Sequence, residues 1–369
     1  MAPVHLTPLT PLAFLERAQD VFAERVAVVH GERRVTYAEL GARVTRLAHA
    51  LRAGGVGPGD RVACLLANTP ELIEAHFAVP LAGAVLVALN TRLAQAEVRA
   101  LLEHSGARLL VADTALAGAV GPEAAAGLDE VVWVDDEGMG VPAGGTPYDE
   151  LLARGADVPL PWAVDDEDAA ISINYTSGTT GRPKGVIYTH RGAWINALGE
   201  CVTAGYDHET VYLWTLPMFH CNGWCHPWAI VAAGGVQVCL RQVRGAECWR
   251  LIRQEGVTSL CGAPAVLSIL VEAEEAGPLE HPLTVMTAAA PPSPRIIGEV
   301  EALGARVIHV YGLTETYGPY TGAGSTSRWP RVHACSRARA WPWCRPTPSA
   351  WSTARARTCR ATGSPWARW

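Results

Sequence analysis

Between Val35 and Arg52 the apolar positions Leu40, Val44, Leu47, Ala48 and Leu51 recur at helical spacing, and Gly54-Gly55 closes the run. Residues three and four apart share one helix face, so the spacing predicts an amphipathic helix with a glycine stop. After the turn GVGPGD, short apolar runs alternate with helical segments: RVACLLAN as a strand, Thr69 to Ala82 as a helix, VLVAL as a strand, Ala94 to His104 as a helix, and RLLVA as a strand. Strands that alternate with helices pair in parallel, so the expected fold class is α/β with doubly wound, mainly parallel sheets. The longest apolar run, Phe77 to Leu89, is too short to span a bilayer, and its Pro80 and Gly83 suit a helix-to-strand junction. A Gly/Pro/Asp-rich stretch from Asp135 to Asp168 breaks the alternation. It divides the expected domains into residues 1–165, a first α/β subdomain, and 166–321, a second.

Composition sharpens this reading in three ways. At 369 residues and 49% hydrophobic, the chain exceeds what one core usually holds, which agrees with two subdomains. Ten cysteines lack a short-spaced framework, and Met1 to Pro11 has no basic start followed by an apolar run; both point to reduced thiols in the cytoplasm and to no stable membrane insertion. Residues 1–321 hold 21 Lys plus Arg against 36 Asp plus Glu, a balance of −15, whereas residues 322–369 hold nine Arg and no acid. So acidic a body argues against a nucleic-acid partner, which needs a clustered basic face.

The chemistry concentrates after Ala169–Asn174, itself a predicted strand, where Tyr175 to Val186 read YTSGTTGRPKGV. Gly178 and Gly181 allow tight turns that present N–H groups to an anion; Thr176, Ser177, Thr179 and Thr180 add hydroxyls; Lys184 adds an ammonium. The pattern is not GxxxxGK[ST], because Lys184 follows Pro183 and no Ser or Thr follows it, which disfavours a P-loop NTPase. A surface turn of the same composition is the bland alternative. Against it, Lys184 is the only lysine in a chain that uses Arg at every other basic position. A charge pair at about 4 Å is worth about 4 kcal/mol at an effective dielectric near 20, enough for one residue to matter to a polyphosphate.

This loop resembles the signature of the adenylate-forming (AMP-dependent synthetase/ligase) superfamily. VTYAEL at Val35, GVGPGDRVA at Gly55 and AGAVLVALNTRL at Ala82 extend the resemblance over much of residues 30–320. The segment LPMFHCNGWCHPW from Leu216 resembles the acyl-pocket lining of synthetases for short, medium and aromatic acids, with His220 at the position of the ring that gates the carboxylate site. VMTAAAPPSP from Val285 is similar to the strand end bordering adenine and acyl group, where the family usually has Gly at the position of Ala289. YGLTET from Tyr311 is similar to the second nucleotide motif. The resemblance implies that Thr176, Ser177, Gly178, Thr179, Thr180, Gly181 and Lys184 hold the ATP phosphates and that Ala290, Tyr311 and Gly312 border the adenine. It implies that Thr314 contacts the α-phosphate, that Glu315 ligates Mg²⁺, and that Lys184, His220, Thr314 and Glu315 serve the chemistry. His220, Cys221, Cys225 and His226 also suggest zinc, but two adjacent pairs do not make the usual ligand spacing and Trp224 and Pro227 indicate packing, so metal ligation there is disfavoured.

The implied function is an acyl-CoA synthetase with ATP, Mg²⁺ and CoA. A short- or medium-chain or small aromatic carboxylate attacks the α-phosphorus to give acyl-adenylate and pyrophosphate, and the CoA thiol then displaces AMP. Two rivals stay open: an aryl-acid-activating or luciferase-like ligase of the same fold, and a nucleotide-binding remnant with little turnover. A homodimer is also open. The family's small C-terminal lid domain, its ribose-binding Asp and its hinge have no counterpart in the sequence. Residues 322–369 contain six of the thirteen Trp, nine Arg and three Cys but no Leu, Ile, Met, Phe or Tyr, too little aliphatic material for a core. An Arg/Trp-rich arm for an anionic surface is the functional alternative. TCRATGSPWARW, written in GC-rich codons and read in the neighbouring frame, can give DVPGDGQPMGEV, which resembles the family's stretch before the ribose-binding Asp. The expectation is therefore an irregular tail produced by a reading-frame shift.

Overall fold

The computed structural model describes residues 7–176, 183–324 and 339–340. Its strands are β1 (Val26–His30), β2 (Arg33–Thr36), β3 (Arg61–Leu65), β4 (Val85–Ala88), β5 (Ala107–Asp113), β6 (Glu130–Val134), β7 (Thr146–Pro147), β8 (Ala170–Thr176) and β9 (Lys184–Thr189). They continue as β10 (Val211–Leu213), β11 (Val236–Val238), β12 (Ser259–Gly262), β13 (Leu283–Thr287), β14 (Ala305–Leu313), β15 (Gly318–Gly324) and β16 (Arg339–Ala340). One sheet has the order β7-β6-β5-β3-β4-β8-β9 and the other β16-β15-β14-β13-β12-β10-β11-β1-β2. All pairings are parallel except β8–β9, β1–β2, β14–β15 and β15–β16, so antiparallel strands sit only at the margins of each sheet.

The predicted helix is present as Tyr37–Ala53. Its start is fixed by Thr36, whose hydroxyl accepts from the Glu39 N–H at 3.2 Å while the Glu39 carboxylate accepts from the Thr36 N–H at 2.8 Å. The Phe77–Leu89 run divides into the end of helix Pro70–Leu81, a turn at Gly83, and β4. Successive side chains of a strand face opposite ways, and the cores follow from that. Val28 of β1 enters an interior core between the two sheets, shared with the helices Tyr37–Ala53, Pro70–Leu81 and His190–Ala204. Val29 enters an outer core with the helices Gly245–Gln254 and Pro264–Glu272, and the other sheet has its own outer core against Gln95–Ser105.

The sheets do not divide the chain at residue 165. Strand β1 leaves the first subdomain and pairs with β11, carrying β2 with it as the edge strand, and β8 leaves the second and pairs with β4, carrying β9. Likewise β15 runs to Gly324, past the expected start of the tail at 322, and pairs with Arg339 and Ala340. The rest of that tail lies outside the described residues.

Helix Pro70–Leu81 is buried on every side, although it carries Glu71, Glu74 and His76. Buried charge needs partners. Arg33 pairs with Glu71 at 2.7 Å, Arg43 with Glu74 at 2.6 Å, and the Tyr148 hydroxyl donates to Glu74 at 2.7 Å. His76 points to the opposite neighbour, the segment that follows β10, and so reaches the candidate site.

Candidate active site

The phosphate-loop sequence occupies the connection of a hairpin. β8 and β9 pair antiparallel from Ala170↔Thr189 to Thr176↔Lys184, so Thr176 and Lys184 face each other across its mouth. Thr176 is half-buried and Lys184 exposed, and the ammonium makes no ion pair with any described residue. Ser177, Gly178, Thr179, Thr180 and Gly181 lie outside the described residues.

The second nucleotide motif is also a hairpin, from the other sheet. β14 and β15 are joined through a single turn, Thr314–Thr316, and by Tyr317 in the left-handed region at φ 65°. Gly312 is required by close approach: a Cβ there would lie 1.7 Å from the Gly318 carbonyl oxygen. Tyr311 is 57% exposed and Glu315 is exposed, which leaves a ring face and a carboxylate open to a ligand. Among the described residues no three His, Cys, Asp or Glu side chains converge on one point. A single free carboxylate fits Mg²⁺, which takes most of its shell from phosphate oxygens and water.

The two hairpins meet. The hydroxyl of Tyr188, on β9, donates to the Thr314 carbonyl at 2.7 Å, and its ring stacks on Tyr317 with centroids 3.4 Å apart and planes 19° apart. Asn196 donates to the Tyr317 carbonyl at 2.9 Å, and Trp228 packs edge-on against Tyr317 at 6.0 Å. Strand ends of both sheets therefore converge on one edge, the side at which α/β folds bind ligands.

The acyl-segment residues complete this edge with unusual backbone. Cys221, Asn222, Gly223, Trp224 and Cys225 have consecutive φ values of 49°, 43°, 55°, 53° and 61°. A left-handed residue with a side chain costs about 1–2 kcal/mol, so four of them represent several kcal/mol of strain that surrounding contacts must offset. Gly223 is needed here, because a Cβ would lie 2.6 Å from the Trp214 ring. The Cys221 thiol lies 3.3 Å from the Thr314 hydroxyl. His220 opens the turn with its ring reaching solvent, and the protein crowded around it lowers its pKa by desolvation. Cys225 and His226 are fully buried; His226 lies 3.0 and 2.9 Å from the carbonyls of Gly223 and Trp224 and 2.9 Å from the Tyr206 hydroxyl, and burial holds its pKa at about 4.

Beyond β13, Ala289 and Ala290 are exposed, and Ala289 has φ 78°. The position is left-handed, the conformation glycine adopts without strain. Sequence reasoning on site residues missed Tyr188, Tyr317, Asn196 and Asn222. Only the last had a signal, the turn-prone pair Asn222-Gly223.

Comparison with known proteins agrees with this arrangement. A profile for "AMP-binding enzyme" matches residues 15–344. The chain is 40% identical over 347 residues to an acetate/butyrate–CoA ligase of Arabidopsis thaliana, peroxisomal by its name, covering 89% of this chain and 61% of the relative. The chain thus spans about three-fifths of the length of that relative. The fold superposes on the inhibitor-bound N-terminal domain of FACL13 from Mycobacterium tuberculosis with a TM-score of 0.77 at 28% identity, covering 86% of this chain and 79% of that one. It superposes on the o-succinylbenzoate coenzyme A synthetase of Bacillus subtilis in complex with ATP and magnesium with a TM-score of 0.73 at 28% identity, covering 84% and 62%. The chain belongs to the AMP-binding enzyme family.

Proposed function

We propose that residues 1–321 form the nucleotide- and acid-binding body of an ATP-dependent acid–CoA ligase. The observation that supports it most is the junction of the two hairpins: Tyr188, four residues after Lys184, holds the Thr314 carbonyl. In this reading the Thr176–Lys184 mouth takes the β- and γ-phosphates, Thr314 the α-phosphate, and Tyr311, Gly312 and Ala290 the adenine. His220 borders the carboxylate. Glu315 would hold Mg²⁺, which when bound neutralises charge on the phosphates. Attack of a carboxylate on the α-phosphorus needs no protein nucleophile, so these residues contribute orientation and electrostatic stabilisation. The CoA thiol then displaces AMP from the acyl-adenylate.

The acid is a short- or medium-chain or small aromatic one, because His220, Trp224 and Trp228 crowd the segment beside Thr314; the similar ligase named for acetate and butyrate supports the short end. Seven described cysteines, all unpaired, support a reducing compartment such as the cytoplasm. ATP–pyrophosphate exchange by the purified chain, over acids of two to eight carbons and benzoate, tests the reading. Acid-dependent exchange that favours this set over a sixteen-carbon acid is expected; exchange only with the long acid would contradict the substrate class.

The aliphatic-poor composition of residues 322–369 favours a second reading for that segment, a reading-frame shift, which would leave the polypeptide as written nearly inactive in thioester formation. Translation of the locus in all frames is expected to reveal the ribose-binding Asp, the hinge and a terminal lysine segment. Their absence from every frame would sink that idea.

A further inference from the structure

The left-handed run Cys221–Cys225 does not hold itself, since only Asn222 and Gly223 are residue types that tolerate this region readily. Asn222 is fully buried and every polar group of its side chain is engaged. Its amide oxygen accepts from the Ser172 hydroxyl at 2.7 Å and from the Asn174 amide, and its amide nitrogen donates to His76 Nε2 at 3.0 Å. Its backbone N–H donates to Asn174 Oδ1 at 3.0 Å. His76 Nδ1 lies 2.6 Å from the Leu72 carbonyl, which fixes the proton on Nδ1 and leaves Nε2 free to accept. Ser172 and Asn174 belong to β8, the strand that enters the phosphate loop at Thr176, and His76 belongs to the fully buried helix. One side chain therefore ties the turn to two rigid elements. On its other side the turn meets the second nucleotide hairpin, through Cys221 at Thr314 and Trp224 at Gly318, where a Cβ would lie 3.1 Å from the Trp224 backbone.

We infer that Asn222 is a positioning residue for the acid: by clamping the left-handed turn to β8 it fixes the wall of the acyl site relative to Thr314. The inference rests on the proposed acid–CoA ligase reading, which places the acyl group against residues 220–228. Asn222 itself touches neither substrate in this arrangement, and so its loss should loosen the acyl wall while leaving the nucleotide contacts of the two hairpins in place. Backbone strain separates this from a merely structural role. Asn222→Gly keeps the left-handed turn accessible, and even easier, but deletes all of the tethering bonds made by the side chain.

The test compares binding of AMP with that of 5′-O-(N-butyrylsulfamoyl)adenosine, a stable mimic of an acyl-adenylate, by calorimetry on the full 369-residue chain. The wild-type chain should bind the mimic more tightly than AMP. Asn222→Gly should weaken the mimic tenfold or more and AMP less than threefold. Ser172→Ala, which removes one bond to the Asn222 amide oxygen without altering the turn backbone, should give a smaller loss with the same selectivity and keeps the test decisive should the glycine variant fold poorly. Equal losses for both ligands, or none in either variant, would overturn the positioning role while leaving the ligase reading intact. A wild-type chain that binds the mimic no better than AMP would overturn the placement of the acyl site, and this inference with it.

Discussion

The two hairpins that carry the nucleotide motifs are built alike and held differently. Each is an antiparallel pair at the margin of a parallel sheet, and each ends in the residues the sequence marks for phosphate chemistry. The β14–β15 turn is gripped from outside by Tyr188, Asn196, Trp228 and Cys221. The β8–β9 hairpin, in contrast, is anchored below its mouth, by its own ladder, by Asn174 and by Tyr175, whose hydroxyl lies 2.9 Å from His104 Nδ1, while Lys184 at the mouth has no ion-pair partner among the described residues. On the proposed reading the difference is a division of labour: the turn assigned to the α-phosphate is pre-organised, whereas the cation assigned to the polyphosphate is left for its ligand to satisfy. Rigid donors cost no reorganisation when charge develops at the α-phosphorus, and an unpaired ammonium keeps its full attraction for a polyphosphate.

The sharpest way to break the gripped hairpin is Gly312→Ala. Its Cβ would collide with backbone, which cannot move aside as a side chain can, so a loss of about 3 kcal/mol or more is expected in chemical denaturation. A loss under about 0.5 kcal/mol, the scale of a neutral surface change, would show that the two strands part easily.

Acid should loosen the same edge from behind. Burial holds the pKa of His76 at about 4 against an ordinary 6.5. The unfolded chain therefore binds the proton first: the contribution of this group is complete above pH 6.5 and falls as the pH drops toward 4, the loss amounting to about 2 kcal/mol at pH 5. Glu200, whose carboxyl is raised well above its usual value by burial, titrates with the opposite sign, so the comparison must be differential. Replacing His76 by Gln should shrink the stability difference between pH 7 and pH 5 by about 2 kcal/mol relative to wild type; an unchanged difference would mean that His76 is protonated without penalty.

How much of this was legible in the sequence depends on the range of the interaction concerned. Periodicity located the helix at Tyr37–Ala53 and the strands β3, β4, β5 and β8, because each is dictated by which face of a local element is apolar. It could not say which sheet a strand joins, and so residues 26–36 fall in the expected first subdomain although β1 pairs with β11, some two hundred residues on, and β2 extends that same sheet. The motif residues Thr314 and Glu315 could be named from YGLTET, but their support could not. Tyr188 reads as part of an apolar strand, and its bond to Thr314 spans 126 residues. The left-handed turn was hidden for a different reason: Cys221, Trp224 and Cys225 have no preference for that backbone, and only tertiary contacts impose it.

Smaller effects sharpen the comparison further. Tyr188→Phe deletes the Tyr188–Thr314 hydrogen bond between the hairpins and keeps the ring stack, and should cost about 1 kcal/mol of stability. If stability is unaffected, the stack alone joins them. Ala289→Gly should do the reverse at the neighbouring strand end: relief of a left-handed alanine is worth up to about 1 kcal/mol, partly offset by the greater freedom of the unfolded glycine chain. A melting temperature that falls in this variant would mean that the alanine methyl makes compensating contacts.

The central claim, that the lone lysine at the open hairpin receives the polyphosphate of ATP, is tested most directly by calorimetric binding of Mg-ATP and of AMP to the wild-type chain and to Lys184→Ala. The account predicts a loss of at least tenfold in affinity for Mg-ATP, equivalent to about 1.4 kcal/mol or more, with AMP affinity within threefold of wild type. Equal Mg-ATP affinity in the two proteins would contradict it.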